Sequence, residues 1–283
     1  MKHIETFTTN KINKDIKIAL LSDIHYHDRF STRLLNKLTK QIKNSQPDYI
    51  CLVGDIVDQV KYKKLDKLIT FLSNISTIAP IICVLGNHDE KSGSLWTWKH
   101  EPNKHLIEAL NSIKNLHLLE DATYQDDNVV FYGFNFSFNY YENCKESYEE
   151  FTYEANELKT KLNKSNYNIV LFHSPVNIYD FIKNNPNHEL AKSDLIFSGH
   201  MHNGILPFWL SYPLNKLFKT NRSIISPQKK LFPKYSQGRV YGKPEGYIFE
   251  AITKLSRSTG FYHLFNIFFF KNIEIIEIKR SNN

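Results

Sequence analysis

A chain of 283 residues with 41% hydrophobic and 23% charged content can bury a substantial core, and that balance excludes wholesale disorder. No apolar run is long enough to cross a bilayer as a helix, and three cysteines are too few for a disulfide framework. The net charge of +7 is concentrated: eight basic residues and no acidic one lie between Ile205 and Pro244, so the remainder is close to neutral.

In chain order, Ile16 to Leu21 predicts a buried strand. A helix follows from a Ser31 cap to about Asn44, where Leu34, Leu35, Leu38 and Ile42 recur at helical spacing and Pro47 ends the run. Asp48 to Val53 predicts a second strand, and Lys61 to Ile75 an amphipathic helix. A third strand is predicted at Ile81 to Leu85, a helix over Lys104 to Lys114, and a strand at Leu116 to Leu119. This alternation argues for βαβ units. Asn128 to Phe136 has strand composition, Tyr140 to Lys164 predicts a charged helix, and Asn168 to Phe172 and Leu195 to Ser198 are again buried strands. After Asn203 the pattern loosens until closing strands at Tyr247 to Ala251 and Asn272 to Ile278. The expectation is one domain over residues 1–283, with a basic and aromatic excursion at about 205–244.

Five polar motifs follow the apolar strands: SDIH after IALL, GDIVD after YICLV, GNHDE after IICVL, FHSP after NIVLF, and SGHMH after DLIF. In an open α/β sheet the loops beyond the carboxyl ends of strands form the ligand crevice, so these motifs can meet at one point. Together they bring carboxylate, amide and imidazole donors suited to divalent first-row metals. Side chains two apart on a strand face the same way, so Asp23 and His25 are aimed together if extended geometry persists past Leu21. A two-metal hydrolytic centre, with ions about 3.5–4 Å apart, needs a carboxylate that bridges them, and Asp55 is the natural bridge. With Asp23 and Asp55 as the only anionic ligands, two divalent ions leave the site at about +2, which favours an anionic substrate.

The order D-x-H, GD-x-x-D, GNH-D/E, a lone His after a strand and GH-x-H resembles that of the calcineurin-like metallophosphoesterases from Asp23 to His202. The resemblance implies an α/β fold, a four-layer αββα sandwich with two mixed central sheets. It also implies that Asp23, His25, Asp55 and His202 hold one metal and that Asp55, Asn87, His173 and His200 hold the other. His88 matches the family residue that hydrogen-bonds the phosphate or protonates the leaving oxygen. Asp58 and Asp89 fit catalytic support, orienting imidazoles or the His88 ring. The implied cofactors are two divalent or trivalent ions among Mn, Fe, Zn and Co, with Mn favoured.

Downstream, GHMHNGILPF and LFPKYSQG are similar to a bacterial branch whose members include enzymes assigned to phosphodiester or UDP-diacylglucosamine-type pyrophosphate substrates. Met201 and Asn203 stand where that branch has Thr and Gly, and Gln59 where Arg often follows GD-x-x-D. The expected activity is metal-dependent hydrolysis of a phosphodiester or pyrophosphate bond by a metal-bridging hydroxide, on a lipid-linked or nucleotide-linked substrate. The alternatives are a nuclease and a non-catalytic metal-binding scaffold.

The 205–244 segment mixes aromatic residues with lysines, which suits anionic lipid, and its charge would equally serve nucleic acid. No apolar stretch follows the charges of MKHIETFTTNKINK, so neither a signal peptide nor an anchor is expected, and the cysteine usage suits a reducing compartment. The expected location is cytoplasmic, peripheral at the membrane if the basic segment binds lipid. His27 is read as a surface residue, and His3, His100, His105, His117, His188 and His263 as structural or solvated.

Overall fold

The computed structural model describes residues 4–28, 30–58, 64–89, 92–94, 97–99, 103–141, 146–201, 238–248 and 273–281. Two six-stranded sheets form its centre. The first contains β1 (Ile4–Thr9), β2 (Ile16–Leu21), β3 (Tyr49–Val53), β4 (Ile81–Val84), β7 (Leu116–Leu118) and β14 (Glu274–Arg280), in the order β1-β14-β2-β3-β4-β7. The second contains β8 (Ala122–Asp126), β9 (Val129–Gly133), β10 (Tyr167–Leu171), β11 (Leu195–Ser198), β12 (Gly238–Val240) and β13 (Glu245–Ile248), in the order β12-β13-β11-β10-β9-β8. Both are mixed: β14 runs antiparallel to β2, and the outer strands β8 and β12 run antiparallel to their neighbours, while the strands between are parallel. A hairpin of β5 (Ser92–Ser94) and β6 (Thr97–Lys99) stands apart.

The strand pleat sorts the second sheet's side chains into two cores. Tyr167, Ile169 and Leu171 of β10 join Phe131, Leu195 and Phe197 in the core shared with the first sheet. That core also holds the apolar faces of α1 (Thr32–Ser45), α2 (Asp66–Ser76) and α3 (Lys104–Asn111). The alternate residues Val170 and Phe172, with Tyr132 and Ile196, pack instead on α4 (Phe138–Tyr141), α5 (Tyr148–Asn156) and α6 (Ile178–Asn184). The result is helices, sheet, sheet, helices: the four-layer α/β sandwich with two mixed sheets.

Several local expectations need correcting. Ser31 sits at the α1 N-cap, but its side chain makes no cap bond; its carbonyl accepts the Leu34 and Leu35 N–H groups. α2 begins at Asp66, so Lys64 and Leu65 lie ahead of it. The charged helix expected over 140–164 is one turn at Phe138–Tyr141 and then α5, which ends at Asn156. Beyond it the backbone is claimed by other partners: Lys159 N–H by the Asp121 carboxylate at 3.1 Å, and Leu162 N–H by Glu189 Oε2 at 2.7 Å. His27 is buried, not at the surface, with its ring against Phe30 at 5.6 Å. Among the described residues no helix is long and apolar enough to cross a membrane.

Candidate metal centre

The loops after β2, β3, β4, β10 and β11 converge at one end of the sandwich. The first two continue the parallel ladder beyond the strands: Asp23 N–H donates to Gly54 O at 3.0 Å, His25 N–H to Asp55 O at 2.9 Å, and Asp58 N–H to Tyr26 O at 2.8 Å. Their backbone is not extended, however. Asp23, His25, Asp55 and His200 all have positive φ, at 53°, 46°, 50° and 68°. Non-glycine residues adopt that left-handed region at a cost and rarely, and such residues collect at functional sites. The expectation that a persisting pleat aims Asp23 and His25 is therefore wrong in its means: two left-handed turns bring His25 Nε2 to 3.9 Å from Asp23 Oδ1.

Two glycines let the loops close up. Gly54 has φ +73°, and a Cβ on it would collide with the His173 ring. At Gly199 a Cβ would collide with the Ser22 hydroxyl and the Asp23 carboxylate.

Asp55 lies at the middle. Its Oδ1 accepts the His88 N–H at 2.8 Å, and its Oδ2 lies 3.5 Å from His25 Nε2 and 3.3 Å from His173 Nε2. Two groups of ligating atoms, each within 4.8 Å of one another, share it: His25, Asp55 and His88, and Asp55, His173 and His200. Burial would raise the Asp55 pKa, but the imidazoles of His173, His88 and His25 hold it well below the usual carboxylate range. Burial alone would lower His173, yet the Asp55 carboxylate pulls it up to about 10. A metal ion would displace that proton.

The donor set fits metal ions. His173 Nδ1–H donates to Val53 O at 2.8 Å, which fixes the ring and turns Nε2 inward. Asn87 Oδ1 is buried without a hydrogen-bond partner, and His173 Nε2 lies 3.3 Å from Asp55 Oδ2, an arrangement that an ion shared by these three groups would satisfy.

Asp23 accepts the His200 N–H at 3.0 Å through Oδ2. The His88 ring meets His25 edge-on at 4.6 Å between centroids, which puts it within one of the two metal-capable groups although the resemblance kept it out of the ligand set. Asp58 is buried beside His25's loop. Asp89 is fully buried and accepts the N–H groups of Ile56, Val57 and Gly86; these bonds run to backbone, not to an imidazole. Burial and the Asp55 charge push Asp89 up to about 7 against those amides. His202 lies outside the described residues, as do Gln59, Asn203 and residues 205–237 of the basic segment.

Two residues at the centre carry no motif signal. The Tyr141 ring lies 5.5 Å from His200 and 6.3 Å from His173. Glu146, buried and at φ 43°, places Oε1 2.6 Å from His200 Nε2. In the sequence Glu146 is one acid among several in a polar stretch.

The sequence profile of the calcineurin-like phosphoesterases matches residues 16–204. An uncharacterized metallophosphoesterase of Campylobacter jejuni is 25% identical over 222 residues, 78% of this chain and 53% of that protein. A UDP-2,3-diacylglucosamine pyrophosphatase of Chlamydia muridarum is 24% identical over 215 residues, covering 66% of this chain and 63% of that one. A dimetal phosphatase from Danio rerio aligns with a TM-score of 0.45 at 11% identity, covering 84% of this chain and 88% of that chain. The chain spans about half the length of the curated Campylobacter and Helicobacter relatives it matches. On the profile match across all five strand-end motifs, the chain belongs to the calcineurin-like phosphoesterase family.

Proposed function

We propose that this protein is a dinuclear metal-dependent phosphohydrolase acting on a phosphodiester or pyrophosphate bond. The observation behind this reading is the position of Asp55, whose carboxylate belongs to both groups of ligating atoms. A pair of divalent ions, when bound, supplies an activated water and neutralises charge on the phosphoryl oxygens.

The chain's own residues do the rest. Asp23, His25, Asp55 and His202 hold one ion, and Asp55, Asn87, His173 and His200 the other. Asp55 and Asp23 are the only carboxylates in that set, so the loaded site attracts an anionic substrate. His88 is only partly buried and stands over His25, within reach of a bound phosphoester. It hydrogen-bonds a phosphoryl oxygen or gives its proton to the leaving oxygen. Asp58, whose N–H bonds Tyr26 O in the loop that carries His25, supports the His25 imidazole on this reading.

The diester or pyrophosphate preference is supported by the Chlamydia relative's named substrate and by the GHMHNGILPF and LFPKYSQG likeness. Peripheral contact with anionic lipid through 205–244, on the cytoplasmic side, belongs to the same reading. Trp209→Ala and Phe218→Ala then reduce co-sedimentation with anionic liposomes, and unchanged binding removes the lipid contact.

Hydrolysis of bis-p-nitrophenyl phosphate against p-nitrophenyl phosphate, by metal-stripped protein reloaded with Mn, tests the activity. The diester is the better substrate and its turnover returns with the metal. Preference for the monoester, or silence on both with metal bound, contradicts the proposal.

A further inference from the structure

We infer that Glu146 is a positioning residue for the second metal: it holds the proton of His200 on Nε2 and so presents Nδ1 as the metal-binding nitrogen. The inference rests on the dinuclear reading above and adds to it a residue outside every family motif.

The geometry is specific. Glu146 Oε1 is 2.6 Å from His200 Nε2, and both side chains are buried. The same Oε1 accepts the Ser174 hydroxyl at 3.1 Å, and the Glu146 carbonyl accepts Asn177 Nδ2–H at 2.7 Å. Ser174 follows His173 directly, so the loop that delivers one candidate ligand of this metal also fixes the carboxylate that faces the other. The backbone of Glu146 is held at φ 43°, a conformation that costs free energy unless its surroundings enforce it.

The chemistry follows from the pairing. A 2.6 Å contact between oxygen and nitrogen is a hydrogen bond, and a carboxylate oxygen is its acceptor. His200 Nε2 is then the donor, which leaves the Nδ1 lone pair for the metal. Tyr141, packed on the His200 and His173 rings, limits rotation that would exchange the two nitrogens. A carboxylate on the far nitrogen also raises the basicity of the ligating one, and its loss elsewhere costs about 10- to 100-fold in metal affinity. His173 obtains the equivalent support from a backbone carbonyl, Val53 O. The tautomer of His173 is thus set without Glu146.

The test is calorimetric titration of the metal-stripped full chain with Mn, in wild type, Glu146→Gln and Glu146→Ala, alongside thermal melts. Wild type takes up two ions. In Glu146→Ala one binding step weakens by about 10- to 100-fold while the other is unchanged. Glu146→Gln retains an oxygen that accepts the Nε2–H, so its loss in that same step is smaller. Should Glu146→Ala not fold, Glu146→Gln decides alone: a weakened single step supports the inference and wild-type affinity in both steps overturns it. Both steps weakening equally, in parallel with a lowered melting temperature, also overturns it, because that is a general structural effect. A wild type that binds no Mn fails the dinuclear reading itself, an outcome separate from the failure of Glu146.

Discussion

Asp89 Oδ1 accepts the Val57 N–H at 3.0 Å, joining the GNHDE loop to the GDIVD loop. Its Oδ2 accepts Ile56 N–H at 3.1 Å and Gly86 N–H at 2.9 Å, so one carboxylate clasps the two loops that carry Asp55, Asn87 and His88. Asp89→Ala leaves three buried donors without an acceptor, at about 1–3 kcal/mol each. We expect a loss of at least about 3 kcal/mol in urea unfolding, with Asp89→Asn intermediate because it keeps a single acceptor oxygen. An alanine variant as stable as wild type rules out the clasp.

Gly199 gives a steric prediction at the opposite loop. A Cβ there meets the Ser22 hydroxyl and the Asp23 carboxylate, and neither can give way freely. Ser22 lies between Asp23 Oδ2 and Val53 O, and Asp23 also accepts the His200 N–H. Gly199→Ala should cost about 1–3 kcal/mol through overpacking and reduce metal uptake because Asp23 must move. Thermal melts with parallel metal analysis read both effects.

His188 supplies a pH dependence away from the metals. Its Nδ1 accepts the Leu190 N–H at 3.2 Å, and its Nε2–H donates to Ala155 O at 3.0 Å, so the folded protein uses the neutral ring. Burial, against the Ala155 bond, lowers its pKa below the ordinary 6.5. The unfolded ring therefore takes a proton first as pH falls, and the stabilising contribution is complete above 6.5 and declines below it. His188→Leu should cost about 1 kcal/mol at pH 8, and the gap to wild type should narrow by pH 5. A gap that stays constant across that range contradicts the neutral-ring assignment.

The sequence made the five strand-end motifs legible because parallel strands buried on both faces read as unbroken apolar runs, and metal-binding donors interrupt those runs abruptly. The edge strands β1 and β8 gave no such signal. In β8 no residue is buried, and in β1 only Phe7 is, so neither carries the unbroken apolar run of a central strand. The end of α5 was hidden for another reason: its charged continuation has helical composition, but Asp121 and Glu189, distant in sequence, take its amides. The left-handed turns at Asp23 and His25 override the pleat because the loop ladder to Gly54 and Asp55 fixes their backbone. Glu146 was invisible because its role depends on where a loop returns, not on neighbouring residues.

In the proposed function Asp55 holds the metals and His88 acts on the substrate, and bound Mn measured together with kcat on bis-p-nitrophenyl phosphate in Asp55→Asn and His88→Ala separates the two roles. Asp55→Asn should lose both metal and activity, whereas His88→Ala should keep the wild-type metal content while kcat falls by about 100- to 10,000-fold. Equal metal loss in the two variants, or wild-type turnover in His88→Ala, would contradict these roles.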